Sequence, residues 1–137
     1  MTERHDASMT SRPYVGPALI LVCVLHIAVG IIDAGSLLSD AARDGWADEF
    51  TGERAVGMWF LMTGVVGLVA GIAIAFVERA GRMPWTISSA LLVAGGIGVS
   101  MAPTSGFILV LAVAILALVR SAYLARGRHR SALNRSA

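Results

Sequence analysis

Two residues in the first apolar stretch of the chain have side chains that could do chemistry. His26 lies well inside that stretch, and Asp33 follows seven residues later. Residues seven apart lie on nearly the same face of an α-helix, about 10 Å apart along an axis that rises ~1.5 Å per residue. An ionisable side chain within a membrane span is a candidate proton relay or ligand contact. We therefore interpret His26 and Asp33 as a polar functional site.

A structural role for His26 is the alternative. A neutral imidazole costs less to bury than a fixed charge, and it can hydrogen-bond across helices to a hydroxyl such as Thr63 or Ser100. Haem and metal sites need a set of ligands, but the other histidines, His5 and His129, lie in the polar ends of the chain. We therefore predict no metal site and no cofactor, and we assign no catalytic residue.

Four apolar stretches must position these residues. The second of them, Ala55–Val77, contains 23 residues without a charge, and as a helix it would span roughly 34 Å, slightly more than the hydrocarbon core of a bilayer. The first stretch is longer than the core of a usual signal peptide and has no small-residue cleavage site directly after it, so we expect it to be retained. The predicted spans are residues 15–32, 55–77, 85–102 and 107–124.

The composition of the chain and its polar ends agree with a membrane protein that has four spans. The 137 residues are 56% hydrophobic, which is too apolar for a soluble domain without a large exposed apolar surface. Residues 1–14 form a polar segment, and residues 125–137 form a basic tail that we expect to be flexible. The sequence predicts an all-α fold, an integral membrane bundle of four transmembrane helices over residues 15–124.

The connections between the apolar stretches are short except for the first. Asp33–Arg54 contains six carboxylates and two arginines, and such a cluster is usually a solvated face. Within it we expect a short helix that is capped by Ser36 and ended by Gly45. At the end of the fourth stretch we expect Arg120 to snorkel to the membrane surface, which lets the span continue to Leu124.

The distribution of arginine predicts the topology. With four spans, nine arginines lie in segments that share one side, and two lie on the other. Basic residues accumulate in cytoplasmic loops, so we predict an inner-membrane protein with both termini in the cytoplasm. The tail could also attract anionic lipid, at ~1 kcal/mol for each arginine near the surface. It lacks interleaved aromatic residues, so we expect no nucleic-acid partner. The two arginines on the predicted outer side are Arg43 and Arg54. The nine arginines on the predicted cytoplasmic side are Arg4, Arg12, Arg79, Arg82, Arg120, Arg126, Arg128, Arg130 and Arg135.

Small residues in the second stretch predict how the helices pack. Thr63, Gly67, Gly71 and Ala75 recur every four residues, with Gly64 beside them. Membrane helices associate through close backbone approach at such residues, either within one bundle or across a homodimer, and we favour packing within the bundle.

Amphipathic aromatic residues also anchor helices at the membrane surface. We expect that role for Trp46, Trp59, Trp85 and Tyr123.

Four segments of the chain resemble a known family: LHIAVGIIDAG, RAVGMWFLMTGVVGL, ERAGRMPW and MAPTSGF. The family is bacterial, uncharacterised and catalogued as domain of unknown function 6463. The resemblance covers roughly residues 15–119. It implies a small four-span integral membrane protein without an established activity. Its most distinctive pieces here are His26 with Gly30, Trp59-Phe60, and Pro103 with Ser105-Gly106-Phe107.

Two classes of function remain. The first is a non-enzymatic membrane component, either an accessory protein or a transporter-like one, with its polar site at His26. The alternative is a membrane-bound redox or quinone-linked protein that uses a pocket near His26 and Trp59. No motif in the sequence commits the chain to a reaction, so we favour the first class and expect no enzymatic activity.

Overall fold

The computed structural model describes residues 12–45, 52–101 and 106–136, with side chains as far as Gly127. Within these ranges the chain forms four helices and no strand: α1 (Val15–Asp44), α2 (Gly52–Arg79), α3 (Trp85–Met101) and α4 (Phe107–Ser136). The prediction of an all-α fold is confirmed. Three helical segments, Val15–Asp44, Gly52–Arg79 and Phe107–Gly127, are long and apolar enough to cross a membrane, and α3 is a shorter apolar helix.

Helix α1 is longer than the predicted span. It continues without a break through the acidic segment to Asp44, where we expected a separate short helix. Ser36 lies inside α1, and its carbonyl accepts a hydrogen bond from the Ser39 hydroxyl. The helix continues because Ala34 and Ala41 keep the apolar spacing of its buried face. It ends at Gly45, as predicted, with a φ of 96° that favours glycine.

Helix α4 also extends beyond its predicted end. It runs to Ser136, through most of the segment that we expected to be a flexible tail. The segment is rich in arginine and alanine, which are strong helix formers.

The turn between α2 and α3 is closed by backbone hydrogen bonds. The N–H of Gly81 donates to the carbonyl of Glu78 at 2.9 Å, and the N–H of Arg82 donates to the carbonyl of Val77 at 3.2 Å. This pair of bonds is a Schellman motif, which needs a left-handed residue, and Gly81 supplies it with a φ of 67°. Pro84 follows and directs the chain into α3.

The helices pair into two antiparallel hairpins. On α1, residue numbers rise as those of their α2 neighbours fall: Gly16 lies against Ala75, Cys23 against Gly67, and Gly30 against Phe60 and Leu61. In the second hairpin, Gly95 of α3 lies against Leu111 of α4. The hairpins meet where α1 packs on α4. In the described part of the chain, α3 makes no comparable backbone approach to α1 or α2.

The two ends of this bundle differ. At the closed end, α1 begins, α2 ends and α3 begins, and the buried core lies there: Val15, Leu19, Ile74, Met83, Val113 and Ala117. At the open end, α1 ends and α2 begins, and the helices are less covered. Between the two ends, large apolar side chains such as Leu21, Val66, Val69, Ile97 and Ile108 are exposed. Such a surface suits contact with lipid.

Candidate functional site

The closed end contains a carboxylate that is completely buried. Glu78, in the last turn of α2, has none of its surface exposed. Its Oε2 accepts a hydrogen bond from the N–H of Gly16 at 2.8 Å, and its Oε1 accepts from the N–H groups of Tyr14 and Val15 at 3.3 Å each. These donors belong to the start of α1, where backbone N–H groups have no partner within the helix. A side chain of α2 therefore caps the N-terminus of α1.

Arg120 of α4 completes this site. Its Nε lies 3.0 Å from Oε1 of Glu78, and only 5% of the arginine side chain is exposed. The guanidinium also lies over the ring of Tyr14, with its carbon 4.5 Å from the ring centroid. The expectation that Arg120 snorkels to the surface is therefore wrong, because a buried carboxylate holds the side chain inside the bundle.

The buried charges of Glu78 and Arg120 balance each other. A carboxylate is favourable at a helix N-terminus because the helix dipole is positive there, and Arg120 supplies a full positive charge. Removing one member of a buried ion pair leaves the other uncompensated, which costs about 3–5 kcal/mol. Glu78 and Arg120 thus join α1, α2 and α4 at a single point.

A pair of hydroxyls extends the closed end to α3. The Ser121 hydroxyl donates to the carbonyl of Met83 at 3.2 Å, and the hydroxyls of Ser88 and Ser121 are 2.8 Å apart. A hydroxyl has only one proton, so Ser88 must be the donor to Ser121. Both serines are fully buried. The polar cluster at the closed end therefore connects the start of α1 with the other three helices, and it consists of Tyr14, Glu78, Ser88, Arg120 and Ser121.

His26 lies at the interface of α1 and α2. Its Nε2 donates to the carbonyl oxygen of Phe60 at 3.0 Å, which defines the tautomer because a carbonyl can only accept. The imidazole also stacks on the Phe60 ring, with centroids 3.8 Å apart and planes inclined by 22°. The two hydroxyls that we considered as partners bond within their own helices: Thr63 donates to Trp59 and Ser100 to Ile97. In this structure, then, His26 bridges two helices.

A groove opens between α1 and α2 at the open end. Its volume is about 590 Å³, within the range of small-molecule sites. The lining is mostly apolar, and its charged members are the exposed carboxylates Asp33 and Glu53. We call this the open-end groove. It is lined by Gly30, Asp33, Ala34, Leu37, Gly52, Glu53, Val56, Gly57 and Phe60.

The two predicted polar site residues do not line the same pocket in the described structure. Asp33 lines the open-end groove, whereas His26 does not and instead stacks on the ring of Phe60, which does. A methyl group on Gly30 would lie 2.7 Å from Cδ2 of Leu61 and 2.9 Å from Cδ1 of Phe60. The space at Gly30 is therefore filled by α2. A functional role for His26 and Asp33 stays a prediction.

The predicted packing stripe lies partly on the α1 interface. A methyl group on Gly67 would lie 2.6 Å from Sγ of Cys23, one on Gly71 would lie 2.9 Å from Cγ1 of Ile20, and Ala75 lies against Gly16. Thr63 is exposed instead. The buried positions of α2 include a seven-residue repeat: Gly57, Gly64, Gly71 and Glu78.

The predicted interface anchors are all on the surface where they are described. Trp59, Trp85 and Tyr123 are exposed, and Trp46 lies outside the described residues. Their contact with a membrane surface stays a prediction.

Within the described residues no group of three histidine, cysteine or acidic side chains could hold a metal ion.

Comparison with known proteins places the chain in a family. The model of a family of unknown function, DUF6463, matches residues 10–123. The chain belongs to DUF6463. The matched region includes both groups of polar residues described above, those of the closed end and those of the open-end groove. Neither the curated proteins nor the solved structures contain a match to this DUF6463 chain.

Sequence reasoning missed the polar cluster at the closed end of this DUF6463 protein. Glu78 directly follows the second predicted span, which ends at Val77, and we predicted no role for it. The signal that could have found the site is Arg120, which interrupts an apolar helix between Val119 and Ala122. A charge in such a position needs a partner, and Glu78 adjoins an apolar stretch at the same predicted side of the membrane.

Proposed function

We propose that this DUF6463 protein is a non-enzymatic, four-span protein of the cytoplasmic membrane that acts as an accessory or transporter-like component. Three helices have the length and apolarity of spans. The fourth, α3, has 17 residues and is about 26 Å long, and its antiparallel packing on α4 supports counting it as a span. Even numbers of spans place both termini on one side.

The arginine distribution supports a cytoplasmic position for the closed end. Arg79 and Arg82 lie in the α2–α3 turn, and Arg126 follows the cluster on α4. In this orientation the open-end groove faces the outside of the cell. Cytoplasmic loops are rich in arginine, and this orientation follows that rule.

The structural difference between the closed end and the open end supports a transporter-like role. The chain is closed at one end by a buried ion pair, and at the other end it has a groove of about 590 Å³ between two helices. A transporter that alternates its access has such an arrangement in one of its states, because access is open to one side at a time.

Labelling of single cysteines tests the orientation. In a Cys23→Ser background, which removes the one native cysteine, Asp40→Cys and Arg82→Cys place thiols at exposed positions of opposite ends. A membrane-impermeant maleimide added to intact cells should label Asp40→Cys and leave Arg82→Cys unlabelled until the cells are broken. Labelling of Arg82→Cys from outside would contradict the proposed topology.

A reporter fused to the C-terminus gives a second test of the span count. We expect a fluorescent protein that matures only in the cytoplasm to be bright after Ala137. A dark fusion that is stably expressed would contradict four spans, because three spans would place this end outside.

A further inference from the structure

We propose that the open-end groove binds a lipophilic monovalent cation, a molecule with an apolar body and a quaternary or protonated amine or phosphonium group. This inference deepens the proposed function by naming the ligand class of the groove. It rests on the proposed function only in assigning the groove to the outer side, because binding itself does not depend on topology.

The charges at the groove select a cation. Among the residues that the structure describes, Asp33 and Glu53 are the acidic residues of the lining, one from each helix, and no arginine lines the groove. Within the described part of the chain neither carboxylate takes part in an ion pair. Arg54, which follows Glu53, has its guanidinium 3.1 Å from a carboxylate oxygen of Asp44. A positive ligand group would therefore meet two negative charges that form no ion pair with any described arginine.

The walls of the groove select an apolar body. Ala34, Leu37 and Val56 line it together with Phe60, and burial of apolar surface favours binding of an apolar ligand. The ring of Phe60 adds an aromatic surface that attracts a cation within about 6 Å of its centroid. His26 stabilises this ring, because it stacks on it and binds the carbonyl of the same residue.

The same features argue against phospholipid as the ligand. A phospholipid has a phosphate next to any headgroup amine, and the phosphate would lie close to Asp33 and Glu53. Like charges repel, and the described lining contains no basic side chain that could pair with the phosphate. A small hydrophobic ion with one positive charge and no phosphate avoids this repulsion.

Equilibrium dialysis of the full-length protein, purified in an uncharged detergent, tests the inference. The probe is tetraphenylphosphonium at low ionic strength and pH 7, and empty micelles correct for partition into detergent. We expect saturable binding that weakens as salt is raised, because salt screens exposed charges. Tetraphenylborate has nearly the same shape and the opposite charge, and we expect no saturable binding of it.

Variants assign the binding to the groove. Asp33→Asn and Glu53→Gln should each weaken tetraphenylphosphonium binding about threefold, and the double variant about tenfold, since each exposed charge contributes modestly. Asp40→Asn is the matched control, because Asp40 is an exposed carboxylate of α1 that does not line the groove. Each of these side chains is exposed, so none of the variants should disturb folding.

Three results would overturn the inference. They are equal binding of both probe ions, unchanged binding in the double variant, and a groove occupied by co-purified phospholipid that tetraphenylphosphonium does not displace. Any of these would leave the topology experiments unaffected. Conversely, a reversed topology with intact, carboxylate-dependent binding would overturn the proposed function and leave the groove as a cation site.

Discussion

The closed and open ends of the bundle contain similar residue types in opposite surroundings. At the closed end the carboxylate of Glu78 is fully buried, and it is matched by three backbone N–H groups and by Arg120. At the open end the carboxylates of Asp33 and Glu53 are exposed beside an apolar groove. Burial makes the first carboxylate part of the fold, because a buried charge must be paired. Exposure leaves the other two available to a ligand.

This difference suggests a division of roles between the two ends. The polar cluster at the closed end receives side chains from α2, α3 and α4 and backbone N–H groups from the start of α1, so it determines how the two hairpins sit together. In the described part of the chain, the residues that line the open-end groove belong to α1 and α2. Substitutions at the closed end should therefore change stability, and substitutions in the groove should change binding.

The largest effect on stability is expected from Glu78→Gln. The amide cannot balance the charge of Arg120, which would remain buried, and we expect a loss of about 3 kcal/mol or more. Thermal unfolding of the detergent-purified protein measures it. Glu53→Gln is the matched control: it makes the same chemical change at the exposed end, and we expect no shift of its unfolding midpoint.

A double-mutant cycle sharpens that prediction. Glu78→Gln combined with Arg120→Gln should be less destabilising than the sum of the two single variants, because the double variant leaves no unpaired buried charge. Strictly additive losses would show that Glu78 and Arg120 do not depend on each other, in conflict with their 3.0 Å separation.

The next largest effect is expected at the α1–α2 interface. Gly71→Leu should destabilise the bundle by about 2 kcal/mol, because even a methyl group there would lie 2.9 Å from Cγ1 of Ile20. Gly67→Leu should act in the same direction. Gly96→Leu is the control, since a methyl group on this helical glycine of α3 meets no atom within 4 Å, and Val65→Leu tests an exposed position of α2. Equal midpoints for Gly71→Leu and Gly96→Leu would contradict the interface.

A smaller effect is expected at His26. His26→Ala removes the hydrogen bond to Phe60 and the ring stacking, which together should cost about 1–2 kcal/mol. His26→Gln keeps a donor without a titratable ring and should recover part of that loss. If Gln restores both stability and tetraphenylphosphonium binding, the role of His26 is structural. If Gln folds normally and loses the binding, the imidazole ring itself is required.

The smallest effect on stability is expected from the groove carboxylates. Asp33→Asn with Glu53→Gln should leave the unfolding midpoint unchanged, because both side chains are exposed and neither is part of an ion pair in the described structure. A clear fall in the midpoint would mean that these groups support the fold, and the contrast between the two ends would then be lost.

The sequence by itself determined the helices. Apolar stretches of span length predict α1 to α4 in order, and glycine at a left-handed position explains where α1 ends at Gly45 and why the α2–α3 turn closes at Gly81. These features are local, since helix length depends on consecutive residues and on stop signals within a few positions. The same local rules underestimated the lengths of α1 and α4, because their polar extensions are also good helix formers.

Only the tertiary structure decided which face of α2 is buried. An α-helix has 3.6 residues per turn, so residues spaced by four drift about 40° around the helix at each step. The row from Thr63 to Ala75 therefore turns away from α1 at its Thr63 end, where the side chain is exposed. Residues spaced by seven drift about 20° in the other direction, which keeps Gly57, Gly64, Gly71 and Glu78 on the buried face. Composition cannot distinguish these rows, because both consist mainly of small residues.

The tertiary structure also decided the roles of the charged residues. Glu78 and Arg120 are 42 positions apart in the sequence, so local patterns do not relate them. An arginine near the end of a span can either snorkel to the surface or turn inward. The choice depends on whether a buried carboxylate lies within reach, and only the packing of the two hairpins brings Glu78 there. For the same reason the open-end groove could not be predicted, since residues of two different helices, within 30–37 of α1 and 52–60 of α2, line it together.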